Sequence, residues 1–315
     1  MRIATLLDPW ESLHPKKDTS LALLEAAALR EHELFIFEAA DLAVRDGCVR
    51  ARVRPLRRER GSVFGFERQA AIMVDLASMD AILMRKDPPF DMAYIYMTYA
   101  LELVERTGVQ VINRPQSLRD CNEKFFISQF PQCCAPTLIA ADLQELRAFH
   151  AEQGEIILKP LDGMGGHGIL RIGRDGMNLA SAFELLSAGG RQPIMAQRYL
   201  AAIAAGDKRI LMVDGEPVPY ALARLPGEDA TRANLAAGGH GVVQALSARD
   251  RWICAEVAAQ LRQRGLRFVG LDVIGDYLTE INVTSPTCVR EIEAEQAVGI
   301  GARLIASLEA VHAAR

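Results

Sequence analysis

The most constraining feature of this sequence is a glycine-rich segment between two short apolar runs. Ile156–Leu158 is an apolar run that ends at Lys159-Pro160, and a second apolar run begins at Ile169. The loop between them holds four glycines, at positions 163, 165, 166 and 168. Apolar run, glycine cluster and apolar run predict a β-hairpin. A loop without Cβ atoms allows backbone N–H groups to approach an anion such as a polyphosphate, and Lys159 would add a positive charge.

The spacing of this loop matches neither of two common nucleotide-binding patterns. It lacks the Gly-Lys-Ser/Thr that opens a helix in a P-loop. A strand rather than a helix follows it, which the dinucleotide fingerprint does not allow. Taken alone, the loop is compatible both with a phosphate-binding lid and with an ordinary mobile hairpin.

A second informative segment, residues 268–283, predicts a metal site. It reads as a hairpin with its turn at Gly275-Asp276. Glu280 and Asn282 are two residues apart on one strand and share a face, and Asp272 lies on the partner strand. Oxygen ligands of this kind suit Mg²⁺, which takes its remaining ligands from water and nucleotide phosphates. The alternative is a polar face on an exposed hairpin, but the flanking residues are strongly apolar, and acidic groups rarely lie among such neighbours unless paired or metal-bound.

Composition narrows the function classes. The formal net charge of −4 argues against a nucleic-acid partner, and no apolar run approaches the ~20 residues of a membrane span. Arg50, Arg52 and Arg54 alternate with apolar residues, which predicts a solvated strand face rather than a nucleic-acid patch. The six cysteines show no metal-ligand spacing, and a chain of 315 residues needs no disulfides to build a core. We therefore expect reduced thiols and a cytoplasmic protein that binds neither nucleic acid nor membrane.

The order of predicted elements gives an α/β fold in three parts. A strand at 2–7, a helix at 21–30 and a strand at 34–37 begin a doubly wound domain covering residues 1–120. Residues 121–200 carry the glycine-rich hairpin, with a helix predicted from Asn122 to Pro131. Residues 201–315 carry the metal hairpin and a loop at 226–241 with little periodicity. A polar loop of this length is uncommon unless it is functional or disordered.

Four sequence blocks resemble the bacterial-type glutathione synthetase family, which belongs to the ATP-grasp ligases. They are Met84–Phe90 (MRKDPPF), Pro115–Lys124 (PQSLRDCNEK), Leu158–Gly166 (LKPLDGMGG) and Thr279–Thr287 (TEINVTSPT). The resemblance implies an N-terminal doubly wound domain followed by a two-lobed ATP-grasp fold. It also implies ligation of γ-glutamylcysteine to glycine with ATP and Mg²⁺ or Mn²⁺, and a homotetramer.

The resemblance also implies roles for individual residues. Those implied to act in catalysis are Arg209 at the transferred phosphoryl group, with Arg232 and Gly239 in the loop 226–241. Those implied to bind the nucleotide are Lys124, Lys159, Gly163, Gly165, Gly166, Gln197, Tyr199, Leu200 and Asp207. The metal ligands would be Asp272, Glu280 and Asn282. Those implied to bind the peptide and glycine are Asp18, Ser20, Arg85, Arg224, Ser285, Pro286, Thr287 and Arg290.

Two alternatives stay open at the level of sequence. One is a different ATP-grasp carboxylate–amine ligase, for example one that joins two D-alanines or adds glutamate to a peptide. The other is a non-catalytic ATP-binding module. A panel of acceptors assayed for ADP release separates these three possibilities.

Overall fold

The computed structural model describes residues 1–59, 61–225 and 240–315. The Arg232 and Gly239 predictions, and most of the loop 226–241, lie outside the described residues. The strands are β1 (Arg2–Leu6), β2 (Glu33–Phe37), β3 (Leu42–Arg45), β4 (Cys48–Arg58), β5 (Phe66–Arg68), β6 (Ile72–Asp75), β7 (Ala81–Met84), β8 (Gln110–Ile112), β9 (Thr137–Ala140), β10 (Ile156–Pro160), β11 (Leu170–Ile172), β12 (Ile194–Arg198), β13 (Asp207–Val213), β14 (Glu216–Leu225), β15 (His240–Ala245), β16 (Phe268–Ile274) and β17 (Tyr277–Asn282).

The α-helices connect or flank these strands. They are α1 (Thr19–Leu29), α2 (Met92–Glu105), α3 (Pro115–Asp120), α4 (Leu143–Gln153), α5 (Leu179–Leu186), α6 (Ala248–Gln263), α7 (Val289–Glu295) and α8 (Ile300–Ala313). Within the described residues, no helix combines the length and the apolar character that a membrane crossing requires.

The first sheet has a parallel centre and helices on both faces. Its main path is β3-β4-β2-β1-β7-β8, with β1 parallel to β2 and β7, and β7 parallel to β8. Side chains alternate along β1, so Ala4 and Leu6 pack in the same core as Leu101 of α2, while Ile3 packs with Leu21 of α1 on the other face. This arrangement confirms the predicted doubly wound domain.

Two antiparallel sheets follow, as an ATP-grasp fold requires. One has the order β11-β10-β12-β9 and a core with α4 and α5, to which Leu146, Ile156 and Phe183 contribute. The other has the order β15-β14-β13-β16-β17, and α6 packs against it through Val257 and Leu261. The predicted hairpins β10–β11 and β16–β17 are both present.

The predicted helix from Asn122 to Pro131 is wrong in its extent. A 3₁₀-helix covers only Phe125–Gln129, and a second short 3₁₀-turn begins at Pro131. The Asn122 side chain accepts hydrogen bonds from the backbone N–H groups of Lys124 and Phe125 (3.0 and 2.9 Å), so the residues before the 3₁₀-helix form a side-chain-stabilised turn. This turn directs Lys124 into the interior.

The arginine-rich strand β4 behaves as its alternation predicts. Val49, Ala51 and Val53 are buried, whereas Arg50 and Arg52 are exposed. The turn before it has positive φ at both Asp46 (51°) and Gly47 (78°), the conformation of a tight hairpin.

Asn113 joins the first sheet to the last. Its buried side-chain amide donates to the carbonyls of Phe268 (2.8 Å) and Val283 (2.6 Å). Its Oδ1 accepts the backbone N–H groups of Arg267 (2.8 Å) and Phe268 (2.9 Å). Four hydrogen bonds from one buried side chain therefore fix the N-terminal sheet against the strands that carry the predicted metal residues.

Candidate active site

A cleft of about 350 Å³ lies where the three sheets meet, and each sheet contributes to its wall. The N-terminal domain supplies Asp87 and Pro88 from the loop after β7, and the second sheet supplies its glycine-rich loop and Gln197. The third sheet supplies Arg209, Asp272, Glu280 and neighbouring residues. Enclosed clefts of this size with converging polar groups are typical ligand sites.

The three predicted metal ligands lie together at the cleft. Asp272 on β16 is directly opposite Glu280 on β17, and Gly270 is opposite Asn282. Asp272, Glu280 and Asn282 all line the cleft. The sequence prediction that these side chains share a face is therefore confirmed, and Glu280 lies 3.9 Å from the Nζ of Lys159.

The donor set fits a hard divalent cation that is bound partly by its substrate. In the part of the chain that is described, no three His, Cys, Asp or Glu side chains group as a self-sufficient metal site. Glu280 and the amide oxygen of Asn282 would instead share the ion with phosphate oxygens and water, which is how Mg²⁺ is commonly held. Asp272 would join them at the expense of part of its arginine contacts.

Asp272 is paired with two arginines in the structure. Arg209 on β13 donates to both of its oxygens, with Nε–Oδ1 at 2.5 Å and Nη2–Oδ2 at 3.0 Å. Arg224 on β14 lies 3.0 Å from Oδ2 and also pairs with Asp207 at 2.6 Å. Burial opposes ionisation of Asp272, but the two guanidinium groups outweigh it and hold its pKa well below the ordinary value.

Asp207 behaves in the opposite way. Burial raises its pKa to about 6, although Arg224 favours its ionised form, and Asp272 adds like-charge repulsion. Its Oδ1 is buried without a hydrogen-bond partner among the described residues. The half-buried Asp207 and the buried Asp272 thus alternate with two buried arginines along one wall of the cleft.

Lys124 and Lys159 form a positively charged cluster near Glu280. Lys124 Nζ lies 2.5 Å from Glu123 Oε1, 2.5 Å from the carbonyl of Gly163 and 3.8 Å from Glu280. Burial would lower the pKa of Lys124, but Glu280 and Glu123 offset this and raise it. Burial and Glu280 raise the pKa of Glu123. Both lysine side chains lie close to the predicted metal face, where ammonium groups can attract phosphate groups.

The glycine-rich loop adopts a backbone that requires glycine. Gly165, Gly166 and Gly168 have φ of 62°, 79° and 73°. A Cβ on Gly163 would lie 2.7 Å from Pro160 Cγ and 3.1 Å from the carbonyl oxygen of His167. The loop forms part of the cleft wall, which Gly163 and Met164 to His167 line.

The end of β12 and the residues that follow it line another part of the cleft. Gln197 is buried and donates to Thr137 Oγ1 at 3.1 Å, and Tyr199 and Leu200 lie beside it in the cleft wall. The Arg171 guanidinium lies 3.9 Å from the centroid of the Tyr199 ring. This less polar part of the cleft suits the base of a nucleotide, and the charged wall beside it suits the phosphates.

The predicted substrate residues divide into two groups. Ser285, Pro286 and Thr287 line the cleft, and so does Arg224. Asp18, Ser20, Arg85 and Arg290 are not among the described residues of the cleft wall. They lie behind it: Arg85 donates to Ser20 Oγ (3.2 Å) and to the Pro286 carbonyl (3.0 Å). Arg290 donates to the carbonyl of Asp18 (3.1 Å), whose carboxylate caps α1.

Sequence reasoning missed two acidic residues of the cleft, Glu123 and Asp87. Glu123 immediately precedes Lys124, in a segment interpreted only as the start of a helix. Asp87 lies within the block that resembles the family, but its charge was not used. In each case the sequence shows an acidic residue directly next to a lysine, and this pattern could have identified it.

Comparisons with known proteins agree with this geometry. The family described as prokaryotic glutathione synthetase, N-terminal domain, matches residues 1–119, and its ATP-grasp domain matches residues 123–297. A glutathione synthetase of Pseudomonas aeruginosa is 56% identical over 315 residues, covering 100% of this chain and 99% of that relative. A glutathione synthetase of Shewanella oneidensis is 50% identical over 309 residues and covers 98% of both chains.

Solved structures share the fold at low sequence identity. The D-cycloserine synthetase DcsG superposes with a TM-score of 0.69 at 18% identity, covering 99% of each chain. The ATP-grasp ligase PsnB, complexed with a minimal precursor, Mg and ADP, superposes with a TM-score of 0.63 at 18% identity over 99% of this chain and 98% of that one. The fold is therefore the ATP-grasp fold, and the full-length matches show that the chain belongs to the prokaryotic glutathione synthetase family.

Proposed function

We propose that this protein joins γ-glutamylcysteine to glycine, consuming ATP and releasing glutathione, ADP and phosphate. The observation that carries the proposal is the row formed by Arg209, Asp272 and Glu280 on three neighbouring strands, facing Lys124 and Lys159 across the cleft. Relatives named glutathione synthetase, 50–56% identical over nearly the whole chain, support the choice of substrates.

The chemistry is a two-step acyl activation. A carboxylate oxygen of the cysteinyl residue attacks the γ-phosphorus of ATP, and the bond to the β,γ-bridging oxygen breaks to release ADP. The glycine amine then attacks the carbon of the acyl phosphate, phosphate leaves, and the amine loses a proton as the amide forms. Lys124, Lys159 and Arg209 would offset the negative charge that develops on the transferred phosphoryl group.

A divalent cation fits this scheme. Mg²⁺, or Mn²⁺ in its place, would be held by Glu280 and Asn282 with Asp272, and it would neutralise phosphate charge. The ATP-grasp fold supports a requirement for a divalent ion, and the neighbour PsnB is complexed with Mg and ADP. Turnover measured after chelation and re-addition of each metal identifies which ion this protein uses.

The glycine-rich loop and the loop 226–241, with Arg232 and Gly239, would exclude water from the acyl phosphate. This role for the glycine-rich loop is supported by the contact between Lys124 and the Gly163 carbonyl, which links the loop to the charged wall. Closure over a hydrolysable intermediate is a common use of such loops. Gln197, Tyr199, Leu200 and Asp207 would hold the adenosine.

We further propose three structural units, 1–120, 121–200 and 201–315, a homotetramer and a cytoplasmic location. The six cysteines are free thiols in the structure, which supports a reducing compartment. Light scattering on the purified protein tests the tetramer.

The deciding experiment supplies ATP, Mg²⁺, γ-glutamylcysteine and glycine and follows ADP release, with the product identified by mass spectrometry. We expect glutathione to appear in proportion to ADP. Parallel reactions replace the acceptor pair with D-alanine alone, or with glutamate and a peptide. ADP release with one of these pairs but not with the first would overturn the proposal.

A further inference from the structure

Asp87 is a cleft-facing carboxylate for which the described part of the chain offers no cationic partner. It is accessible from the cleft and lines it beside Pro88 and Ser285. Within the described ranges, no Lys, Arg or His nitrogen lies within 4.0 Å of its carboxylate. This distinguishes it from Asp272 and Asp207, whose carboxylates are paired with arginines.

The loop that carries Asp87 is fixed in place. The backbone N–H of Arg85 donates to the Leu6 carbonyl (2.7 Å), and that of Asp87 donates to Asp8 Oδ2 (2.8 Å). Lys86, the nearest lysine in sequence, pairs with Asp8 at 2.6 Å and donates to the backbone carbonyl of Asp87 at 2.8 Å, not to its carboxylate. Asp8 and Lys86 therefore satisfy each other, and the carboxylate of Asp87 is left facing the cleft.

Ser285 holds the carboxylate in that direction. Its hydroxyl donates to Asp87 Oδ1, and this contact joins the N-terminal domain to the turn after β17. Arg85, two residues earlier, directs Nε to Ser20 and Nη2 to the Pro286 carbonyl, so it does not pair with Asp87 directly. Burial raises the pKa of Asp87 despite help from Ser285 and Arg85, and Asp8 and Asp18 add to the effect. Among the described residues, the Ser285 hydroxyl is the one side-chain donor to this carboxylate.

We propose that Asp87 binds the primary ammonium group of a substrate and thereby selects amino-acid ligands at this end of the cleft. The inference rests on the proposed function, because both substrates bring such a group: the α-ammonium of the γ-glutamyl residue, and the amine of glycine before it is deprotonated. A hydrogen bond between an ammonium and this carboxylate supplies a cationic partner.

The test combines changes in the enzyme with changes in the substrate. Asp87→Asn keeps an acceptor for Ser285 and removes the charge. With γ-glutamylcysteine and glycine, we expect kcat/KM for the ammonium-bearing substrate to fall roughly 10- to 100-fold, as for loss of a hydrogen bond to a charged group.

Two substrate analogues identify the source of the ammonium. N-glutarylcysteine lacks only the α-ammonium, so if that group binds Asp87, the wild type and Asp87→Asn use this analogue equally well. Hydroxylamine is uncharged at neutral pH and replaces glycine as the attacking amine. If glycine binds Asp87, the two proteins use hydroxylamine equally well and differ in KM for glycine. Either result supports the proposal.

Asp8→Asn is the matched control. It removes one negative charge from the neighbouring loop after β1, and with it the ion pair with Lys86, while leaving the cleft-facing carboxylate in place. We expect it to lower thermal stability without discriminating between γ-glutamylcysteine and N-glutarylcysteine. Ser285→Ala tests whether loss of the cross-domain contact alone accounts for the effect.

The outcomes separate this inference from the proposed function. If the wild type makes no glutathione, the proposed function and this inference fail together. If the wild type is active but Asp87→Asn loses the same factor with every substrate and analogue, or loses nothing, only the assignment of Asp87 is overturned.

Discussion

At the scale of single residues, charge pairing dominates the cleft. Arg209 and Arg224 neutralise Asp272, while Glu123 and Glu280 surround Lys124. Buried charges of one sign are costly unless a partner lies close, so each of these groups depends on its neighbours. Changing one of them therefore alters both the affinity for ligands and the stability of the protein, and the two effects have to be measured separately.

Glu280→Ala is expected to abolish turnover while leaving the chain folded. The variant loses a proposed metal ligand. Lys124 keeps Glu123 as its partner, whereas Lys159 loses only a long contact of 3.9 Å and stays at the cleft wall. We expect kcat to fall at least ~100-fold, since metal-assisted charge neutralisation contributes several kcal/mol. ADP release and circular dichroism measure the two effects. Normal ADP release from this variant would show that Glu280 is not needed for metal binding.

Asp272→Asn is expected to destabilise the protein strongly. It leaves Arg209 and Arg224 buried with reduced compensation, and breaking a buried pair from one side costs about 3–5 kcal/mol. Urea unfolding of the wild type and the variant at pH 7 measures this cost. An unchanged midpoint would mean that the arginines find other partners when Asp272 is neutral.

The raised pKa of Asp207 predicts the direction in which the free energy of unfolding changes with pH. Its pKa is about 6 in the folded protein against an ordinary value of 3.8, so the folded state holds this proton more tightly. The contribution of Asp207 to stability is therefore largest below pH 4 and declines as pH rises to about 6. Asp272 has the opposite sign, but its lowered pKa confines its effect to pH below about 4. Between pH 4 and 6, the unfolding free energy of the wild type should decline relative to that of Asp207→Asn, and a parallel pair of profiles would contradict the assignment.

At the scale of elements, the hairpin β10–β11 and the hairpin β16–β17 face each other across the cleft. The short segment Asn122–Lys124 connects them. Asn122 donates to the Leu161 carbonyl (2.9 Å), and the Glu123 carbonyl accepts the N–H of Ile281 (2.9 Å). The glycine-rich loop is thereby tied to the strand that carries Glu280, so its position and the charged wall are coupled.

Gly163→Ala is expected to weaken ATP binding. The added methyl group would lie 2.7 Å from Pro160 Cγ, so the loop must shift away from its contact with Lys124. We expect KM for ATP to rise several-fold with a small change in melting temperature. Gly189→Ala is the control, because Gly189 lies away from the cleft with φ of 71° and nothing within 4 Å of an added Cβ. That variant should lose stability through backbone strain and keep the wild-type KM. An equal rise in KM for ATP in both variants would contradict a specific role of the glycine-rich loop in ATP binding.

At the scale of the whole molecule, the cleft exists only because the N-terminal domain is fixed against the last sheet. Asn113 makes four hydrogen bonds across this boundary, and Arg85 and Asp87 add contacts to Pro286 and Ser285. α1 of the first domain also packs against α8 at the end of the chain. The wall that holds the substrate is therefore shared by residues far apart in sequence.

Asn113→Ala is expected to lower the free energy of unfolding by about 2–6 kcal/mol, because four buried hydrogen bonds are lost at about 0.5–1.5 kcal/mol each. KM for ATP should change little, since Gln197, Tyr199 and Lys159 do not contact Asn113. KM for γ-glutamylcysteine should rise, because Asn113 holds the Val283 carbonyl just before the cleft-lining turn Ser285–Thr287. Denaturant unfolding and steady-state kinetics test both parts, and an equal rise in both KM values would contradict a role limited to domain docking.

The sequence alone determined the local elements and which residue types carry the chemistry. Period-two alternation placed Glu280 and Asn282 on one face, and the glycines after Lys159 predicted the hairpin β10–β11, because both signals depend only on neighbouring residues. Tertiary structure decided the pairing of Asp272 with Arg209 and Arg224, the turn at Asn122 and the position of the Asp87 carboxylate at the cleft. These features arise from contacts between strands and loops that are distant in sequence, and local patterns carry no information about which distant charge will meet which.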